Sequence, residues 1–121
     1  MAGKITVSTI NDSSGVLATQ NGMTGIAKAW VLFNGAATPV ISGSFNVSSI
    51  TYNSTGTYTV NFSTSMPSTA YSIVSTAQGQ RVIMGITLAN IATGSCQVTA
   101  YDMGGSALFN SNPVSVVVFS S

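Results

Sequence analysis

Residues 44–64 read SFNVSSITYNSTGTYTVNFST, and this stretch decides the fold class. In its second half, the apolar residues Tyr58, Val60 and Phe62 alternate strictly with polar ones, which is the period of a β-strand with one buried face. The first half also alternates but changes register on the way to Tyr52, and a turn signal follows at Asn53–Gly56. We therefore predict a β-hairpin over residues 44–64.

Similar short segments, rich in Val, Ile, Thr, Tyr and Phe, recur along the chain and are separated by Gly- and Asn-containing turn signals. They lie at residues 27–33, 70–77, 81–88, 96–101 and 114–119. No segment keeps a helical period over a dozen residues. The pattern predicts an all-β fold, namely an antiparallel β-sandwich of the jelly-roll-like kind.

The first 25 residues differ from the rest. Residues 5–10 alternate only briefly before Asn11–Gly15, a dense turn signal. We interpret residues 1–25 as an extended N-terminal arm or linker used in assembly, and residues 26–121 as the β-sandwich domain. The candidate assembly residues of the arm are Lys4, Ile5, Val7 and Ile10.

Charge is almost absent from the chain. Charged residues make up 4% of the 121 residues, against roughly 25% in an average protein. They are Lys4, Lys28, Arg81, Asp12 and Asp102, and we interpret the three scattered cations as isolated solvated or interface charges. A net charge of +1 argues against attraction to nucleic acid or an anionic membrane. A surface with so little charge favours association, so we predict an oligomer.

The polar residues are neutral: 19 Ser, 15 Thr and 9 Asn, with no His and no Glu. Acid–base and nucleophilic catalysis need groups that titrate near neutrality, and Asp12 and Asp102 both fit turn residues better than a catalytic pair. We predict a protein that is not an enzyme, with no cofactor and no metal; a weak calcium site at Asp102 and Asn110 is the remaining metal alternative. Cys96 stands alone and is predicted to be a buried strand residue.

Aromatic residues divide into two groups by their position. Trp30, Tyr58 and Tyr71 lie in apolar-periodic runs and are predicted to pack in the core or at an interface. Tyr52 and Tyr101 border turns and are predicted to be more exposed. The candidate partner contacts lie on or beside loops 34–38, 53–57 and 102–112; they are Tyr52, Asn53, Tyr101, Asp102, Asn110 and Asn112.

Three sequence blocks carry a resemblance to a known family. AKAWVLFNG (27–35), SFNVSSIT (44–51) and GTYTVNF (56–62), in this order, resemble a recurrent module of tailed-bacteriophage virion proteins that occurs in tail-fibre-like chains. Residues 4–12 resemble the short arm that often precedes the module. The resemblance implies a virion-surface β-sandwich, homotrimeric, with no catalytic motif. The chain departs from it at Ser54–Thr57, where a charged turn is frequent, and lacks a long shaft.

The leading hypothesis is therefore a bacteriophage virion structural protein, a tail-fibre-type module displayed for host attachment. Its expected partners are further copies of itself, other virion proteins and a host surface glycan or protein, without nucleic acid or membrane insertion. The expected location is the virion, after synthesis in the bacterial cytoplasm. The alternative is a capsid decoration (cement) protein that stabilises the head lattice. A glycan-degrading domain is the third hypothesis and would need a carboxylate pair within about 10 Å.

Overall fold

The computed structural model describes residues 3, 6, 11–12, 15–16, 26–77, 82–86, 90–102 and 107–120. Ten β-strands lie in these ranges. They are β1 (Asn11–Asp12), β2 (Gly15–Val16), β3 (Ala27–Asn34), β4 (Val40–Phe45), β5 (Val47–Ser54), β6 (Thr57–Phe62), β7 (Ser72–Ala77), β8 (Val82–Ile86), β9 (Ser95–Asp102) and β10 (Val114–Phe119). Among the described residues, no helix is long and apolar enough to cross a membrane.

Eight of these strands form two antiparallel sheets. The first sheet has the order β4-β3-β10-β7, and the second has the order β5-β6-β9-β8. Their inner faces share one hydrophobic core, so the predicted antiparallel β-sandwich is confirmed. Four strands in each sheet is also the jelly-roll count, although here consecutive strands pair within one sheet as β3–β4, β5–β6 and β8–β9.

The core follows from the alternation in the sequence. Every second residue of β6, of β10 and of β3 from Ala29 onward is buried, and these residues supply most of the core. They are Ala29, Val31, Phe33, Tyr58, Val60, Phe62, Val114, Val116 and Val118. Cys96 and Val98 of β9 are also buried in the core. The prediction that Cys96 is a buried strand residue is therefore confirmed.

Strand bounds agree with the sequence prediction where the alternation is strong. The predicted strand at 114–119 is β10 itself, and the other four predicted segments match β3, β7, β8 and β9 to within two residues at each end. Strand β4 was not predicted before Ser44, because Ser42, Gly43 and Ser44 interrupt the apolar pattern. A register shift opposite Leu32 and Phe33 breaks the alternation further.

The predicted hairpin over residues 44–64 is divided by Asn46. Strands β5 and β6 form the hairpin, whereas Ser44 and Phe45 belong to β4 in the other sheet. Asn46 has a φ of 55°, a left-handed conformation that Asn tolerates better than most residues. Its Nδ2 donates to the carbonyls of Lys28 and Thr64 at 3.0 Å each, and its Oδ1 accepts from the Thr64 N–H at 2.6 Å. Asn46 is therefore the corner at which the chain passes between sheets.

Lys28 corrects one expectation, since its side chain is fully buried rather than solvated. The pairing of β3 with β10 shows the reason. Val118 pairs with Ala29 and Phe119 with Ala27, so Lys28 is an extra residue at a β-bulge. A bulge redirects side chains locally, and here Lys28 and Ala29 are both buried.

The N-terminal prediction is only partly covered by the described residues. Strands β1 and β2 pair antiparallel, Asn11 with Val16 and Asp12 with Gly15, at the place where the sequence predicts a turn. The candidate assembly residues Lys4, Ile5, Val7 and Ile10 lie outside the described residues.

Candidate functional site

Three loops meet at one end of the sandwich, and Asn110 joins them. Its Oδ1 accepts a hydrogen bond from the Gly56 N–H at 2.8 Å, in the turn between β5 and β6. The same oxygen lies 3.3 Å from the hydroxyl of Tyr58, which donates to the Gly35 carbonyl at 2.6 Å. Gly35 N–H in turn donates to the Ser111 carbonyl at 2.8 Å. We call this region, formed by residues 35, 55–56 and 109–111, the loop end.

Two glycines allow the loops of the loop end to come this close. A Cβ on Gly35 would lie 2.4 Å from the Ser111 carbonyl oxygen, and one on Gly56 would lie 2.6 Å from the Phe109 nitrogen. Gly56 also has a φ of 69°, which favours glycine. The loop end is therefore a close-packed part of the fold.

Three of the predicted partner contacts lie at or beside the loop end. Tyr52 is half-buried, with its ring centroid 6.1 Å from that of Tyr58, and its hydroxyl accepts from Asn110 Nδ2 at 3.4 Å. Side-chain hydrogen bonds with Thr55 and then Asn110 lower the pKa of Tyr52, whereas burial raises that of Tyr58. Asn112 is exposed and lies between the loop end and the start of β10. Tyr52 and Asn110 thus bond within the fold, and Asn112 faces solvent.

The other predicted contacts lie elsewhere. Tyr101 is half-buried near the end of β9, paired with Ile83 and bridged to Leu108. Asp102 pairs with Val82 through its backbone, and its side chain lies outside the described part of the structure. Asn53 lies on the outer face of the second sheet, where its Oδ1 accepts from the Thr59 hydroxyl at 2.8 Å.

The outer face of the second sheet carries a network of neutral polar side chains. Asn61 Nδ2 donates to the hydroxyls of Ser49 and Thr51 at 3.1 and 3.0 Å across β5 and β6. Asn90 Nδ2 donates to Gln97 Oε1 at 2.7 Å beside β9. These groups offer donors and acceptors without net charge.

A groove of about 540 Å³ opens on this face. It is lined by Asn53, Thr59, Asn90, Ala92, Ser95 and Gln97. Every polar group in the lining is an amide or a hydroxyl, apart from backbone, so the groove can bind a ligand through neutral hydrogen bonds. Sequence reasoning singled out only Asn53 among these residues, because the others come from three separate segments that the sheet brings together.

The chemistry of the described residues is limited. They contain no group of three or more His, Cys, Asp or Glu side chains that could hold a metal ion. Burial raises the pKa of the Cys96 thiol to about 12, so the thiol is protonated at neutral pH and is a poor nucleophile.

The three aromatic residues predicted to pack have different environments. Tyr58 is fully buried in the core, and Tyr71 is half-buried with its ring centroid 6.0 Å from that of Phe62. The Tyr71 hydroxyl lies 2.8 Å from the carbonyl oxygen of Ala92 and 3.0 Å from that of Ser95, and it donates to them. This contact holds the segment before β9 against the sandwich. Trp30 points outward from the first sheet and is 42% exposed, so it is not a core residue.

Comparisons with known proteins give no relative. No family model, no curated protein and no solved structure matches the chain.

Proposed function

We propose that this chain is a structural protein of a tailed-bacteriophage virion, a non-catalytic β-sandwich module displayed on the particle surface for host attachment. The observation that carries the attachment role is the neutral groove on the second sheet, between Asn53 and Gln97. Support for the virion context comes from the three sequence blocks that resemble tail-fibre-like chains.

The groove suits a neutral, hydroxyl-rich ligand such as a host surface glycan. Its amides and hydroxyls can each donate or accept, whereas a charged ligand would find no opposite charge in the lining. Such contacts are weak one at a time, because each replaces a hydrogen bond to water. Several copies in one assembly, a homotrimer on the family resemblance, compensate through avidity.

Competition for adsorption tests the attachment role. Purified protein is mixed with host cells and with virions that carry it, and unadsorbed virions are counted. The wild type is expected to reduce adsorption, and the double variant Asn90→Ala/Gln97→Ala is expected to compete less well. Ser42→Ala, an exposed substitution on β4 in the other sheet, is the matched control. If the wild-type protein does not compete, the attachment role is wrong.

Capsid decoration is the second candidate. The exposed hydrophobic side chains of the first sheet, among them Trp30, Phe45 and Val74, favour it, since a lattice subunit must pack against its neighbours. The two roles differ in copy number. A decoration protein is expected at hundreds of copies on the head, and an attachment module at few copies on the tail. Quantitative gels of purified particles, or density in particle images, separate the two.

A further inference from the structure

The outer face of the first sheet is unusually apolar. Nine large hydrophobic side chains are exposed among the described residues, and six of them belong to strands of this sheet. They are Trp30, Leu32, Val40, Phe45, Val74 and Phe119. Scattered exposed hydrophobics are normal, but a contiguous group of this size marks an interaction surface.

Four of the apolar residues of this face form one row across all four strands. Phe45 of β4 pairs with Trp30 of β3, Trp30 pairs with Val117 of β10, and Val117 pairs with Val74 of β7. Direct cross-strand partners project from the same side of a sheet. The neighbours of Trp30 and Val117 along their strands are buried on the inner side. The row therefore lies on the outer face from one edge to the other.

Gly43 makes room for the largest side chain of the row. A Cβ at this position would lie 3.3 Å from the Trp30 ring, so the indole lies over Gly43 of β4. Trp30 nevertheless remains 42% exposed, and Val74 at the opposite edge is 52% exposed. Leu32 and Phe119 flank the row on β3 and β10. We call the row (Phe45, Trp30, Val117 and Val74) together with Leu32 and Phe119 the apolar face.

The area of the apolar face suits a protein interface. An aromatic side chain can bury roughly 150–250 Å². The three aromatic and three aliphatic side chains of the apolar face, each partly exposed, therefore present several hundred Å² of apolar surface. A standard interface covers about 800 Å² on each partner. The apolar face is thus large enough to form the centre of one.

The charge of this sheet favours a second copy of the same chain as the partner. Lys28 is the only charged residue in its four strands, and it is buried. Two such faces meet without like-charge repulsion, and neither offers a charged partner a specific contact. The row is aromatic on β4 and β3 and aliphatic on β10 and β7, so a copy related by rotation can place aliphatic side chains against aromatic ones.

We propose that the apolar face is the contact surface between copies of this chain, with the aromatic half of one face packed against the aliphatic half of the face on the next copy, so that three copies close into a ring. The inference goes beyond host attachment and does not depend on it. Burial of the row removes its apolar surface from water, which is the main favourable term in association.

The oligomeric state in solution tests this inference. The wild type is expected to sediment at three times the 12.3 kDa of one chain, the mass of the proposed homotrimer. Val74→Lys places a charge in the row at an exposed position on edge strand β7, where the long side chain can keep its ammonium group in water. We expect it to raise the dissociation constant roughly tenfold or more. Analytical ultracentrifugation over a concentration series measures the change.

Thr51→Lys is the matched control, because it places the same charge on an exposed strand position of the second sheet. It is expected to leave the assembly intact. Circular dichroism checks the fold, and Val74→Ser replaces Val74→Lys if the lysine variant unfolds. A wild type that stays monomeric, or row variants that associate as tightly as the wild type, would overturn the inference. Failed adsorption with an intact oligomer would instead count against the attachment role alone.

Discussion

At the scale of single residues, Asn110 is the side chain on which the loop end depends. The Gly56 N–H donates to Asn110 Oδ1 at 2.8 Å, and replacing Asn110 with Ala leaves this N–H without that partner. A part-buried group that loses its partner costs about 1–3 kcal/mol. We expect Asn110→Ala to lower the free energy of unfolding by this amount in urea titrations. Asn53→Ala loses only an exposed hydrogen bond and should change it by no more than about 0.5 kcal/mol. Equal effects of the two substitutions would contradict this role of Asn110.

At the scale of elements, the corner between β4 and β5 depends on Asn46. Asn46→Ala removes three hydrogen bonds and also places an alanine at a φ of 55°. Asn46→Gly removes the same hydrogen bonds but tolerates the backbone conformation. We expect both variants to be destabilised, and alanine to be worse than glycine by about 1–2 kcal/mol. Thermal and urea unfolding measure both. If glycine is as damaging as alanine, the left-handed conformation does not matter at this corner.

At the scale of the whole molecule, the scarcity of ionisable groups determines how stability depends on pH. The chain has no His and no Glu, so its stability should hardly change between about pH 5 and 8. Burial raises the pKa of Cys96 from 9.0 to about 12. Burial, and to a smaller extent the nearby Cys96, raises the pKa of Tyr71 from 10.0 to about 12. The folded state therefore holds these protons where the unfolded state has lost them, and stability falls as the pH rises from about 9 to 12.

Urea unfolding at several pH values checks this profile. Cys96→Ala removes one of these groups and should flatten the fall in stability above pH 9, whatever it costs in packing at neutral pH. Stability that rises above pH 9, or a slope unchanged in the variant, would contradict the assignment.

The strongly alternating strands could be predicted from the sequence, because the alternation of apolar and polar residues shows which face of each strand is buried. Strand β10 alternates Val114, Val116 and Val118 with residues on the other face, and its bounds were predicted correctly. Strand β4 lacks this alternation, because Ser42, Gly43 and Ser44 interrupt its apolar pattern, and it lies at a sheet edge. The burial of Lys28 was missed because a bulge depends on the partner strand.

The sequence by itself determined that this protein is an all-β sandwich whose polar side chains are almost all neutral, since alternation and composition are local properties of the chain. Only the tertiary structure decided which residues meet. Asn110 contacts Gly56 and Tyr58 although it lies more than fifty positions from either of them in the sequence. The row from Phe45 to Val74 exists only through the strand order β4-β3-β10-β7. The physical reason is that alternation specifies the side of a strand on which a residue lies, whereas pairing between distant strands specifies its neighbours.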